Sequence, residues 1–215
     1  EHGEVMAIWE AAIPNHSRLN EYLEYRGLSS DQPDTLRLHP SLEYWYDRKS
    51  YEKFPCIVSL ITRDSSPVGI HRTFLDLDSP GKAPVPKPKL SKKCGDSMTG
   101  GCIPLFEFDQ EKPLVLCEGI ETALAVHQMT GYPVWACVSS TMMAKVELPD
   151  NVKSVIIGAD KDQSGAGQDS ANRLAQRLIG EGREIKISLP PMEIPKGSNG
   201  IDWLDYYLIK EVACV

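Results

Sequence analysis

The sequence has no apolar run long enough to cross a bilayer, so no membrane-spanning helix is expected within it. Its first ten residues, "EHGEVMAIWE", lack the basic segment followed by an apolar one that marks a secretory signal. They also lack an initiating methionine, which points to a fragment of a longer protein or a processed chain. No C-x-x-C pair occurs among the six cysteines, Cys56, Cys94, Cys102, Cys117, Cys137 and Cys214. Cys94 and Cys102 with His71 nearby make an incomplete zinc-ligand set. Cys117 and Cys137 lie in apolar runs and read as small buried hydrophobes. Scattered cysteines without a signal fit a reducing cytoplasm. There is no basic excess either. With 30 acidic and 23 basic residues the net charge is −7, which excludes a chain that coats nucleic acid by bulk charge. Any such contact must come from a local patch.

What is present is a globular composition, 41% hydrophobic and 25% charged, over 215 residues, enough for one large domain or two small ones. Residues 1–30 repeat apolar side chains at helical spacing, with Gly27 placed to end a helix. "CIVSLIT" (56–62) and "VGIHRTFLDL" (68–77) read as two strands joined by the turn-rich "RDSSP", an antiparallel hairpin that places His71 within a strand. Residues 79–104 read as a loop. Between Gly81 and Lys93 it holds five lysines and no acid, either a solvated surface or a flexible basic arm that meets phosphates.

From residue 113 the pattern becomes regular. "PLVLCEG", "PVWACVS", "VKSVIIGAD" and "REIKISLP" read as strands. "ETALAVHQMTG", "STMMAKVEL" and "GQDSANRLAQRLIGEG" read as helices between them, the second with Ser139, Ser140 or Thr141 as N-cap. Alternating apolar strands and helices imply a parallel sheet covered on both faces.

In such sheets ligands bind outside the carboxyl ends of the strands. Glu118 follows the first strand directly. Asp160 and Asp162, in "GADKDQSGAG", follow the third, and if the chain stays extended there both carboxylates point the same way. Asp202, in "NGIDWLD", follows the fourth strand and a Pro/Gly-rich loop. Four carboxylates up to 84 positions apart are thus expected on one rim. Hard oxygen ligands without His or Cys suit Mg²⁺ or Mn²⁺, which arrive with substrate phosphates. Gly165 and Gly167 let the backbone turn tightly before the next helix, whose N-terminus can face an anion.

These residues resemble the Toprim domain shared by bacterial-type primases, type IA and type II topoisomerases and some nucleases. The resemblance covers residues 113–208 and rests on "LVLCEGIETALA", "IIGADKDQSGAGQDSANRLAQRL" and the acid in "GSNGIDWLDYYL". It implies acid–base and metal roles for Glu118, metal ligation by Asp160 and Asp162 with Asp202 as a further ligand, and a supporting turn at Gly119, Gly165 and Gly167. The family often places another acid four positions after the glutamate; that position is Thr122 here, with Glu121 beside it. The upstream "LRLHPSLEYW" and "VGIHRTFLD…GKAPVPKPK" resemble the primase-like proteins of conjugative plasmids, integrative elements and phages.

The resemblance implies an α/β protein: a Toprim-like parallel sheet flanked by helices (111–215), after an N-terminal α+β part with an antiparallel hairpin and a basic loop (1–110). A site in the cleft between the two parts is expected. The implied activity is synthesis of RNA primers on single-stranded DNA from NTPs, with a helicase or relaxase in the same pathway. Arg72, Lys82, Lys87, Lys89 and Lys161 are the candidates to meet template or nucleotide phosphate. Two alternatives stay open: a metal-dependent nuclease built on the same acids, and a non-catalytic module that binds single-stranded DNA or docks onto a partner.

Overall fold

The computed structural model describes residues 1–213, so Cys214 lies outside the described residues. The chain divides into two compact units, Glu1–Met98 and the part from Thr99 onward.

The N-terminal unit opens with α1 (His2–Glu10) and α2 (Ser17–Tyr25), as the helical spacing predicts. The short β1 (Ile13–Pro14) interrupts them. Gly27 follows α2 at φ 71°, and Leu28 N donates to Leu23 O, which closes the helix as expected. The sheet adds β2 (Arg37–Tyr46), β3 (Lys49–Arg63), β4 (Ser66–Phe74) and β5 (Lys89–Lys93), in the order β1-β2-β3-β4-β5 with every pair antiparallel. β3 and β4 are the expected hairpin. α1 packs on one face, where Val5 meets Cys56, Val58, Ile70 and Phe74. Their strand neighbours Leu38 and Ile57 point the other way and are buried too.

Two strands escape the periodicity. In β2 the register shifts between His39 and Leu42 and again between Glu43 and Trp45, and Pro40 sits in the first shift. These bulges break the alternation that marks a strand. The second is a correction. The lysine-rich stretch 89–93 is neither loop nor flexible arm but the edge strand β5, paired with β4 from Thr73↔Lys89 to Gly69↔Lys93. Lysines suit an edge strand because they discourage further pairing.

The C-terminal unit contains β6 (Ile103–Pro104), β7 (Leu114–Cys117), α3 (Ile120–Thr130), β8 (Val134–Ala136), α4 (Ser140–Met143), β9 (Ser154–Gly158), β10 (Lys161–Asp162), α5 (Ala166–Gly180), β11 (Glu184–Ser188), β12 (Gly200–Ile201) and α6 (Trp203–Ala213). The main sheet runs β11-β9-β7-β8-β6, its first four strands parallel and β6 antiparallel at the edge. All four residues of β7 are buried, as a strand covered on both faces requires. Leu114, Leu116, Val155 and Ile157 pack with Ala171, Leu174 and Leu178 of α5. Ser139 is the N-cap of α4, its hydroxyl accepting from Met142 N at 3.2 Å. No helix among the described residues is long and apolar enough to cross a membrane.

Among the described residues Cys94, Cys102 and His71 do not form a metal-binding group. Cys94 is buried in the N-terminal unit and Cys102 in the core of the C-terminal one. His71 is a buried strand residue with Nδ1 3.2 Å from Ser91 Oγ.

Candidate functional site

β7 and β9 are adjacent and parallel, with Cys117 opposite Gly158. The chain therefore leaves both strands at the same level. Glu118 emerges from one and Asp160 from the other. After Asp160 the chain does not turn at once into a helix. It forms β10, which pairs antiparallel with β12 through Lys161↔Ile201 and Asp162↔Gly200. That two-residue ribbon delivers Asp202 to the same rim, across a long gap in sequence.

Asp160 is the centre of this cluster. Its Oδ1 is buried and has no hydrogen-bond partner. Burial pushes its carboxyl up to about 7, helped by the charges of Asp202, Glu118, Asp205 and Asp162. Asp202 is also raised, first by burial. It accepts from Thr122 Oγ1 at 3.3 Å and caps α6, with Asp205 N donating to its Oδ1 at 2.8 Å. Asp205 returns the bond, accepting from Asp202 N at 3.2 Å. Thr122, at the position where the resemblance leads one to expect an acid, instead orients an acid brought from elsewhere in the chain.

Asp162 is held differently. Its Oδ2 accepts from Gly167 N at 2.8 Å and its Oδ1 from Ala166 N at 3.2 Å and from Ser164 Oγ. The hydroxyl and amides hold its carboxyl below the usual range, so it stays ionised at the N-terminus of α5. Gly165 is left-handed at φ 76°. Gly167 is needed for closeness: a Cβ there would lie 2.8 Å from Asp160 O and 3.0 Å from Asp162 Oδ2. Gly119, the N-cap of α3, has φ −98° and ψ 155°, a conformation open to any residue.

Lys161 Nζ donates to Met192 O at 2.8 Å, so its ammonium is engaged within its own unit. In the N-terminal unit, Lys82 bridges to Leu75, Lys87 is exposed with Nζ 5.8 Å from the Tyr46 ring, and Lys89 opens β5. Arg72 lies on β4, half-buried, with Nε lacking a hydrogen bond. Asp205 was not among the candidates, although the D-x-x-D spacing from Asp202 ahead of an apolar helix was a legible capping signal.

Residues 113–210 match the family described as the Toprim domain. The C-terminal unit contains a Toprim domain. Residues 1–104 match a family described only as a domain of unknown function, DUF7146. No curated protein matches the chain in sequence. Among solved structures, the catalytic core of DnaG is 17% identical with TM-score 0.56, covering 97% of this chain and 73% of that one. A DNA primase domain from Pseudomonas aeruginosa is 15% identical with TM-score 0.55, covering 98% and 74%. The primase fragment of the bacteriophage T7 primase-helicase protein is 17% identical with TM-score 0.53, covering 90% and 66%. At these identities the likeness is one of fold: the chain has the α/β fold found in primase catalytic cores.

Toprim domains bind divalent metals in general. Among the described residues no three His, Cys, Asp or Glu side chains form a ready-made cage. Mg²⁺ does not require one, because it is held by one or two carboxylates and completes its shell with water and phosphate. The Toprim rim here fits such an ion. Asp160 has an unpartnered buried oxygen, four further carboxylates bear on it, and the ammonium of Lys161, next in sequence, is bound to a carbonyl.

Proposed function

We propose that the chain is the core of a divalent-metal-dependent nucleotidyltransferase of primase type, which extends RNA primers on single-stranded DNA as part of a mobile-element replication or conjugation protein. The observation that carries this reading is the uncompensated Asp160 carboxyl at the carboxyl end of a central Toprim strand, with Glu118 and Asp202 bearing on it. The fold similarity to primase cores supports the choice of chemistry.

In this reaction the 3′-hydroxyl of one nucleotide attacks the α-phosphorus of the next, and pyrophosphate leaves. A bound Mg²⁺ or Mn²⁺ would neutralise charge on the phosphates and favour the ionised attacking oxygen. Asp160 and Asp162 would hold the ion, with Asp202 beside them. Asp162 is kept ionised and oriented by Gly167 N and Ala166 N. Thr122 orients Asp202. Glu118 would take the proton of the attacking hydroxyl or join the ligands. Arg72, Lys87 and Lys89 would meet template or triphosphate. The partners are single-stranded DNA, NTPs and a helicase, in the cytoplasm; one similar structure is itself a fragment of a primase-helicase protein.

The test is incubation with single-stranded DNA, Mg²⁺ and labelled NTPs, in parallel with Mg²⁺ alone. Short NTP-dependent products that vanish in the Asp160→Asn, Asp162→Asn double variant are expected. Cleavage without NTPs would make the protein a nuclease. Neither product, with oligonucleotide binding indifferent to the double change, would make it a binding module.

A further inference from the structure

The N-terminal unit holds an unmatched charge of its own. Arg72 stands on the face of β4 covered by α1, in the row Arg37–Val58–Arg72–Leu90 across four strands. Burial disfavours its charged form, and its Nε is without a partner. A guanidinium cannot shed its proton at neutral pH, so a buried one calls for an anion. Glu4 bears on its charge, but the Glu4 carboxylate is ion-paired with Lys92.

In front of Arg72 lies a cavity of about 570 Å³. α1 contributes Glu4 and Ile8 to it, β2 contributes Leu42 and Trp45, and Lys92 on β5 completes the charged side. Its size is that of a small-molecule site. Trp45 is 53% exposed, which leaves much of its indole open to solvent at the cavity. The second acid at the rim, Glu43, is already engaged, accepting from Ser50 Oγ at 2.5 Å. The cavity thus combines a flat aromatic surface, an apolar wall and two cations, one of which holds an exposed carboxylate as its anion.

We propose that this cavity binds one nucleotide unit, its phosphate between Arg72 and Lys92 and its base against Trp45, with the Glu4 carboxylate holding the phosphate position in the free protein. Arginine suits the phosphate because its fork matches the oxygens, and an exposed indole accepts any base by stacking. The proposal rests on the nucleic-acid reading above and adds Trp45, Lys92 and Glu4, which the sequence did not single out. The nucleotide unit can belong to a single strand or be a free nucleoside triphosphate. The chemistry is shared, and the test separates the two sources.

The experiment uses the full chain in EDTA, in the Asp160→Asn, Asp162→Asn background, so that the acidic rim and its metal play no part. Binding of a labelled oligo-dT is read by anisotropy and binding of ATP by calorimetry. Trp45→Ala is expected to weaken one or both about 5- to 150-fold, the usual range for loss of a stacking aromatic, while Trp45→Phe retains most of the affinity. Lys92→Gln and Arg72→Gln weaken the same ligand and flatten its salt dependence. Glu4→Gln tightens it, because the competing carboxylate is gone; a merely structural role for the Glu4–Lys92 pair would not produce a gain. Effects on oligo-dT alone assign the strand, and effects on ATP alone assign the free nucleotide. Trp45→Ala and Lys92→Gln proteins that fold by circular dichroism yet bind both ligands as before, or a Glu4→Gln protein that binds more weakly, overturn the proposal. Absence of primer synthesis by the unmodified protein would count against the nucleotidyltransferase reading and leave this result standing.

Discussion

The two units carry half-buried charge of opposite sign, and the topology of each sheet decides where it sits. In the N-terminal unit the strands are antiparallel, and the charge is a guanidinium in mid-strand, Arg72 on β4. In the C-terminal unit the central strands β7 and β9 are parallel and largely buried, and the charge sits beyond their ends, at Glu118 and Asp160. An antiparallel sheet presents a face, and a polar side chain can point out of it wherever the covering helix leaves room. A parallel sheet is covered on both faces and presents only its rim. One unit therefore calls for an anion and the other for a cation. In the proposed function these would be phosphate and divalent metal, the two charged parts of a metal–nucleotide complex.

The largest expected effect tests the face. Phe74 is fully buried beneath α1 and touches the Tyr44 ring edge-on at 4.9 Å. Phe74→Ala should cost about 3–5 kcal/mol in denaturant unfolding, because the void left behind adds to the lost burial. A cost under about 1 kcal/mol would mean that the face is not packed as described. Next comes the rim. Asp160→Asn should lower nucleotidyl transfer roughly 100- to 1,000-fold, the range for removing one electrostatic element of a reacting site, as measured by labelled primer yield. Arg72→Gln acts on ligand affinity instead, and equal effects of the two changes on turnover at saturating NTP would erase the distinction between face and rim.

The rim also makes a pH prediction. The Asp160 carboxyl is raised from 3.8 to about 7. Between those values the unfolded chain has released this proton while the native state retains it, so the group's contribution to stability falls as pH rises from about 4 toward about 7. In EDTA, Asp160→Asn should remove that slope and raise the melting temperature at pH 8, by about 2–4 °C for each kcal/mol recovered. Mg²⁺ should raise the melting temperature of the parent protein at pH 8 more than at pH 5.5, because it competes with the proton for the same oxygens. The smallest effect is local. Gly165→Ala puts a Cβ into the left-handed region at φ 76° and should cost about 1–2 kcal/mol, read as a small drop in melting temperature.

Much of the Toprim unit was legible because its signals are local. The apolar run before Glu118, the run before Asp160 and the left-handed Gly165 each announce themselves within a few residues. The N-terminal unit was less legible. Bulges hide β2, and lysines disguise the edge strand β5 as a solvated arm. The aspartate pair was only half legible. Spacing suggested two equivalent carboxylates, but one is buried without a partner and the other caps α5, a difference set by β10 pairing with β12. Thr122 was noticed only for not being an acid; that its hydroxyl meets Asp202 depends on where β12 delivers Asp202.

By itself, then, the sequence determined the alternation of strands and helices in the C-terminal unit, the acids at the strand ends and the glycines beside them, because periodicity and turn chemistry act over a few neighbouring residues. Only the tertiary structure decided which carboxylate is left without a partner, which helix Asp162 caps, and that Arg72, Lys92 and Trp45 line one cavity. Those outcomes depend on desolvation and pairing between segments tens of residues apart, and neither leaves a local mark in the chain.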